Sequence, residues 1–107
     1  MSDDLDIREL TEADFRRMIP APVRRRIREG RIESGRDIIL LRRFVGLSQK
    51  EFAHALEISV HTLRNWEQGR RQPEGPAIAL LKIAARHPQI VRQAAGRTPS
   101  AARATRR

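Results

Sequence analysis

An all-α fold is predicted, a compact four- to five-helix bundle, and three observations predict it. Apolar residues recur at three- and four-residue spacing while no run alternates with period two, so helices are expected and a sheet is not. Capping residues and glycines punctuate the middle of the chain at short intervals. The 107 residues hold only four aromatic side chains, Phe15, Phe44, Phe52 and Trp66, so one small aliphatic core is all that the length and composition allow.

The elements follow in order. Thr11 and Asp14 have cap spacing for a short helix, TEADFRRMI, with Phe15, Met18 and Ile19 on one side; Pro20 and Pro22 should interrupt it before the VRRRIREGRI run. This flank, residues 1–30, is expected to be flexible or partly helical and to order on a partner or at a dimer contact. Ser34 with Asp37, and Ser48 with Glu51, stand at capping-box spacing and mark two helix starts. The first helix should run from Gly35 to Val45, bury Ile38, Leu41 and Val45, and stop at Gly46. The second, from Gln49 to Leu56, buries Phe52, Ala53 and Leu56. Ser59 caps a third, which buries Leu63 and Trp66 and ends at Gly69. Gly75-Pro76 opens a fourth, with Ala77, Leu80, Leu81 and Ala84 facing inward, and Pro88 begins a short fifth that continues to about Ala95. The helical domain is therefore placed at 31–95. The segment 96–107, basic and almost without apolar side chains, should be disordered.

Composition narrows the function. The formal net charge is +9, and it is unevenly placed: residues 1–30 are neutral with acids first, 31–93 carry +5, and 94–107 carry +4 with no acid. A basic body attracts polyanions, nucleic acids foremost. The chain has no cysteine, which removes disulfides and thiolate metal sites and suits a reducing cytoplasm. His54, His61 and His87 lack metal-ligand spacing. No nucleophile stands with a base, and there is no glycine-rich phosphate cradle and no catalytic acid pair, so neither an enzyme nor a cofactor is expected. No apolar run approaches the length of a membrane span, and the acidic start MSDDLD is unlike a signal peptide. A cytoplasmic location is expected.

The stretch ISVHTLRNWEQGRR, residues 58–71, is the most informative. At 100° per residue Leu63 and Trp66 share one side, and His61, Arg64, Asn65 and Gln68 the other. The two-residue link Glu57-Ile58 between the second and third helices, with small Ala53 where they cross, gives helix-turn-helix geometry. The run GLSQKEFAHALEISVHTLRNWEQGRRQP resembles the lambda-repressor-like, Cro-type (xenobiotic response element) family in its GLSQ, FA, S, T, L and WEQG positions. The likeness covers residues 36 to about 87. It implies that the third of these helices enters the major groove of a palindromic operator, read by a dimer. Val60, His61, Arg64 and Asn65 would then meet base edges, because Asn can pair with adenine, Arg with guanine, and Val with a thymine methyl. Gln49, Gln68, Arg70 and Arg71 would hold phosphates. An Arg42–Glu67 salt bridge is also implied.

Within that family, NWEQGRRQPEGPAIALLKIAARHP together with LTEADF is similar to HigA-like antitoxins of type II toxin–antitoxin systems. The resemblance implies a dimeric repressor of its own operon that neutralises a small ribonuclease toxin. A stand-alone phage-type repressor, and an interaction protein that no longer binds DNA, are the alternatives. One departure bears on the turn. The family usually has Gly where this chain has Glu57, and a left-handed glutamate costs about 1–2 kcal/mol, so a different local path of the turn is expected as an option.

Overall fold

The computed structural model describes residues 18–96. Among these residues there are six helices and no strand: α1 (Ala21–Arg28), α2 (Gly35–Val45), α3 (Gln49–Leu56), α4 (Val60–Glu67), α5 (Pro76–Arg86) and α6 (Pro88–Ala94). The residues read as a disordered tail, apart from Gly96, lie outside the described residues, as does most of the TEADFRRMI segment.

The core is a single cluster to which every helix contributes. Ile27 of α1, Ile38, Leu41 and Val45 of α2, Phe52 of α3, Leu63 of α4 and Leu81 of α5 are wholly buried, with Ala53, Leu56, Trp66 and Val91 nearly so. Leu80, like Ala77, packs against the core from its edge. It is half-buried at the rim, and the interior of α5 is lined by Leu81, Ala84 and Ala85. An alanine pair lets α5 approach its neighbours closely, which leaves the larger Leu80 to the edge.

The N-terminal flank contains a helix, α1. Pro20 and Pro22 begin it; whether they also end one over TEADFRRMI lies outside the described residues. Pro20 is the N-cap of α1 and its carbonyl accepts the N–H groups of Val23 and Arg24 at 3.0 and 3.1 Å, while Pro22 sits in the first turn. Proline is tolerated there because a first-turn N–H has no intrahelical acceptor to lose. Val23 and Ile27, four residues apart, then face the core, and α1 packs chiefly on α5. Residues 21–28 thus pack with the other helices.

An ion pair secures this arrangement. Arg26 Nη2 donates to both carboxylate oxygens of Asp37 at 2.9 and 3.0 Å. Asp37 Oδ2 also accepts the Glu33 N–H at 2.9 Å. The carboxylate side chain is only 5% exposed, and a buried charge needs such partners. This commitment undoes one predicted capping box: Ser34 makes no side-chain cap bond at the start of α2. The other forms fully. Ser48 Oγ accepts the Glu51 N–H at 3.1 Å and Glu51 Oε1 accepts the Ser48 N–H at 2.9 Å.

A candidate nucleic-acid interface on helix α4

The link between α3 and α4 sets the pitch of the exposed helix. Glu57 adopts φ 60°, ψ 41°, the left-handed conformation usually left to glycine. The alternative path considered for the turn is not taken. Two backbone bonds hold the residue there, Glu57 N–H to His54 O at 3.1 Å and Ile58 N–H to Ala53 O at 3.0 Å, and Ile58 packs on the core. Their combined contribution offsets a strain of about 1–2 kcal/mol. Ser59 then caps α4, its Oγ accepting the Thr62 N–H at 3.0 Å.

Leu63 and Trp66 turn inward from α4, as the 100° periodicity requires. His61, Arg64 and Gln68 are exposed, Asn65 is half-buried, and Val60 is half-buried against the core. Beyond α4, Gly69 has φ 78° and the chain folds back so that the N–H groups of Arg70 and Arg71 both reach Asn65 O, at 2.9 and 3.3 Å. Both arginine side chains stay in solvent. Six polar side chains, from His61 to Arg71, are thus displayed on α4 and the turn that follows it.

Beneath this face runs a chain of polar contacts. Arg42 of α2 donates through Nε to Glu67 Oε2 at 2.7 Å and through Nη1 to Leu47 O at 3.1 Å. The two side chains are 16% and 5% exposed, respectively. Gln49, at the first position of α3, donates through Nε2 to Glu67 Oε1 at 2.9 Å and accepts from Arg64 Nε at 3.1 Å. An amide is suited to this place because it presents a donor to the carboxylate and an acceptor to the guanidinium at once. The side chain of Gln49, expected at a phosphate, makes these two bonds within the protein. Arg64, held by Nε, keeps its terminal Nη pair free.

Gly35 is a participant that the sequence reading passed over. A Cβ at this position would lie 2.3 Å from Glu67 O and 2.6 Å from Trp66 O. The backbone of α2 therefore starts in direct contact with the end of α4, and only glycine fits. A glycine directly after a cap residue, where any good helix former would otherwise serve, was the available signal.

Residues 38–81 match the family described as Helix-turn-helix. Over these 44 of its 107 residues the chain is similar to helix-turn-helix proteins. The matched residues span α3 and α4, the two helices joined by the tight turn, and a scaffold made of most of α2 and about half of α5. The match leaves out α1 and α6, which the structure packs onto that scaffold. The chain is also 44% identical over 55 residues to "Antitoxin HigA-2" of Vibrio cholerae serotype O1, an alignment covering 51% of this chain and 53% of that protein. The chain thus spans about half the length of the curated relative it matches. No solved structure is a significant match. Among the described residues no helix is long and apolar enough to cross a membrane.

Proposed function

We propose that the protein is a sequence-specific DNA-binding repressor that serves as the antitoxin of a type II toxin–antitoxin module, repressing its own operon and neutralising a ribonuclease toxin. The observation that carries the DNA-reading half is the arrangement of Arg64. With Nε engaged by Gln49, its two terminal nitrogens form a pre-set fork that suits the O6 and N7 acceptors of guanine. Asn65 reads adenine beside it, His61 reaches the neighbouring base edge, and Val60 offers its outward methyl to a thymine. Gln68, Arg70 and Arg71 hold the phosphate backbone, and Gln49 contributes through its backbone amide at the start of α3 while its side chain orients Arg64.

One recognition helix of eight residues spans few base pairs, so the reading includes a homodimer on a palindrome, with half-sites about 34–36 Å apart. Ile83 and Ile90, 43% and 54% exposed, supply apolar surface for that contact. Val91, 5% exposed, is committed to the core of its own chain and is not available for it.

The antitoxin half rests on the likeness to the Vibrio protein over half its length. The test is a footprint on the DNA upstream of the gene, combined with co-purification of the full chain with the product of the adjacent gene. A paired footprint and a stable complex are expected. A footprint without a complex points to a stand-alone repressor, and loss of both rejects the proposal.

A further inference from the structure

The first turns of α1 border an open groove of about 560 Å³. Its apolar lining is Met18, Ile19 and Phe44, and its rim carries Arg24, Arg25 and Arg28. Arg24 is fixed in place, with Nε donating to Ala85 O at 2.9 Å and its guanidinium 4.6 Å from the centre of the Phe44 ring. Among the described residues, Arg26, Arg31 and Arg42 are paired with carboxylates, whereas none pairs with the three arginines of the rim. Met18 is 59% exposed. The groove therefore joins an apolar floor to three uncompensated positive charges, on the helix that packs on α5 and α2 rather than on α4.

We propose that this groove is the docking site for the acidic N-terminal segment of the same chain, residues 3–10, DDLDIREL. The chemistry of the two matches. Asp3, Asp4, Asp6 and Glu9 against the single Arg8 give the segment a net charge of −3, equal and opposite to the rim. Leu5, Ile7 and Leu10 supply apolar side chains for the floor, which a phosphodiester backbone cannot do; that favours a peptide over nucleic acid. The geometry of the chain also allows it. Met18 is itself part of the lining, and the eight-residue step from Leu10 to Met18 reaches up to roughly 26 Å at about 3.3 Å per residue. Tethering at this distance gives an effective concentration on the order of millimolar, so a weak ionic contact is well populated. Docking would neutralise a second basic surface and leave α4 as the face presented to DNA. The inference does not depend on the antitoxin reading.

The absence of cysteine permits a clean test on the full chain. A Ser2→Cys substitution carrying a nitroxide label should broaden the amide signals of Arg24, Arg28 and Phe44 in an isotope-labelled sample. The broadening should disappear in Arg25→Gln/Arg28→Gln, whose side chains are exposed and whose loss leaves the core intact, and in Asp3→Asn/Asp4→Asn/Asp6→Asn/Glu9→Gln. Salt of about 1 M, where the screening length falls to about 3 Å, should also remove it. Broadening centred on α4, or none beyond the residues next to the label, would overturn the proposal. So would broadening that appears only when nitroxide-bearing unenriched chains are mixed with isotope-labelled unmodified ones, because the occupant would then be a second copy.

Discussion

Glu57, Gly35 and Glu67 show how much depends on single residues around α4. Glu57 holds a left-handed conformation that costs about 1–2 kcal/mol, and glycine there would recover this but lose about 0.4–1 kcal/mol to its freer unfolded state. Glu57→Gly should therefore stabilise the chain by about 0.5–1 kcal/mol, read as a higher urea midpoint at unchanged slope; a lower midpoint would show that the strain is relieved in a way the backbone angles do not reveal. Gly35→Ala has the opposite sign. Its Cβ meets two backbone carbonyls, which cannot swing aside as a side chain can, and overpacking of this kind costs about 1–3 kcal/mol or more. Calorimetry should find a lowered Tm, and an unchanged Tm would mean that α2 and α4 separate freely. Glu67→Ala leaves Arg42 largely buried with only Leu47 O as partner, and breaking a buried pair from one side costs about 3–5 kcal/mol. The residue types Arg42 and Glu67 were legible as a pair from the resemblance alone, but Gln49 was not legible as their third member. An amide at a helix start can serve many partners, and only the approach of α4 brings Glu67 and Arg64 to it.

At the scale of elements, α2 to α6 were legible to within a residue or two because each carries its own punctuation: Ser48 and Ser59 as caps, Gly46 as a stop, Pro76 and Pro88 as starts. Helix α1 was not. Its composition, five charged or proline residues in eight, looks like a solvated flank, and what stabilises it is distant in sequence: the Asp37 carboxylate, the Ala85 carbonyl and the pocket for Ile27. Asp37→Ala should therefore release α1 before the rest of the domain unfolds. Limited trypsin digestion should cut after Arg24, Arg25 or Arg28 faster in this variant than in the parent, while α4 amides keep their hydrogen-exchange protection. Uniform loss of protection would show that α1 and the helix-turn-helix unfold as one unit. Removal of residues 1–30 would strip Ile27 from the core, and so large an apolar loss costs about 2–5 kcal/mol. Truncations that probe the flank should end before Met18.

For the whole molecule, the charge of +9 and the display on α4 should make separable contributions to the proposed DNA binding. Asn65→Ala should cost about 1–3 kcal/mol on the cognate operator and relax preference at one base position. Its backbone carbonyl, which holds the turn to Arg70 and Arg71, is untouched by the change. Arg70→Ala should weaken all duplexes alike and lower the slope of log affinity against log salt by about 1. Titrations of both variants on operator and random DNA at several salt concentrations distinguish them; equal losses for Asn65→Ala on the two duplexes would remove it from base reading.

The sequence by itself determined the helical class, the helix-turn-helix and the face of α4 that looks outward, because capping and periodicity are local properties, set within a turn or two of each residue. Tertiary structure decided the rest. It turned Asp37 from a cap into the anchor of α1, tied the Gln49 side chain to Glu67 and Arg64, required glycine at position 35, and kept Glu57 left-handed. Each of these is a choice between partners of comparable local merit, and it is settled by which groups the packing of other helices brings within hydrogen-bonding or van der Waals distance. No periodicity along one segment carries that information.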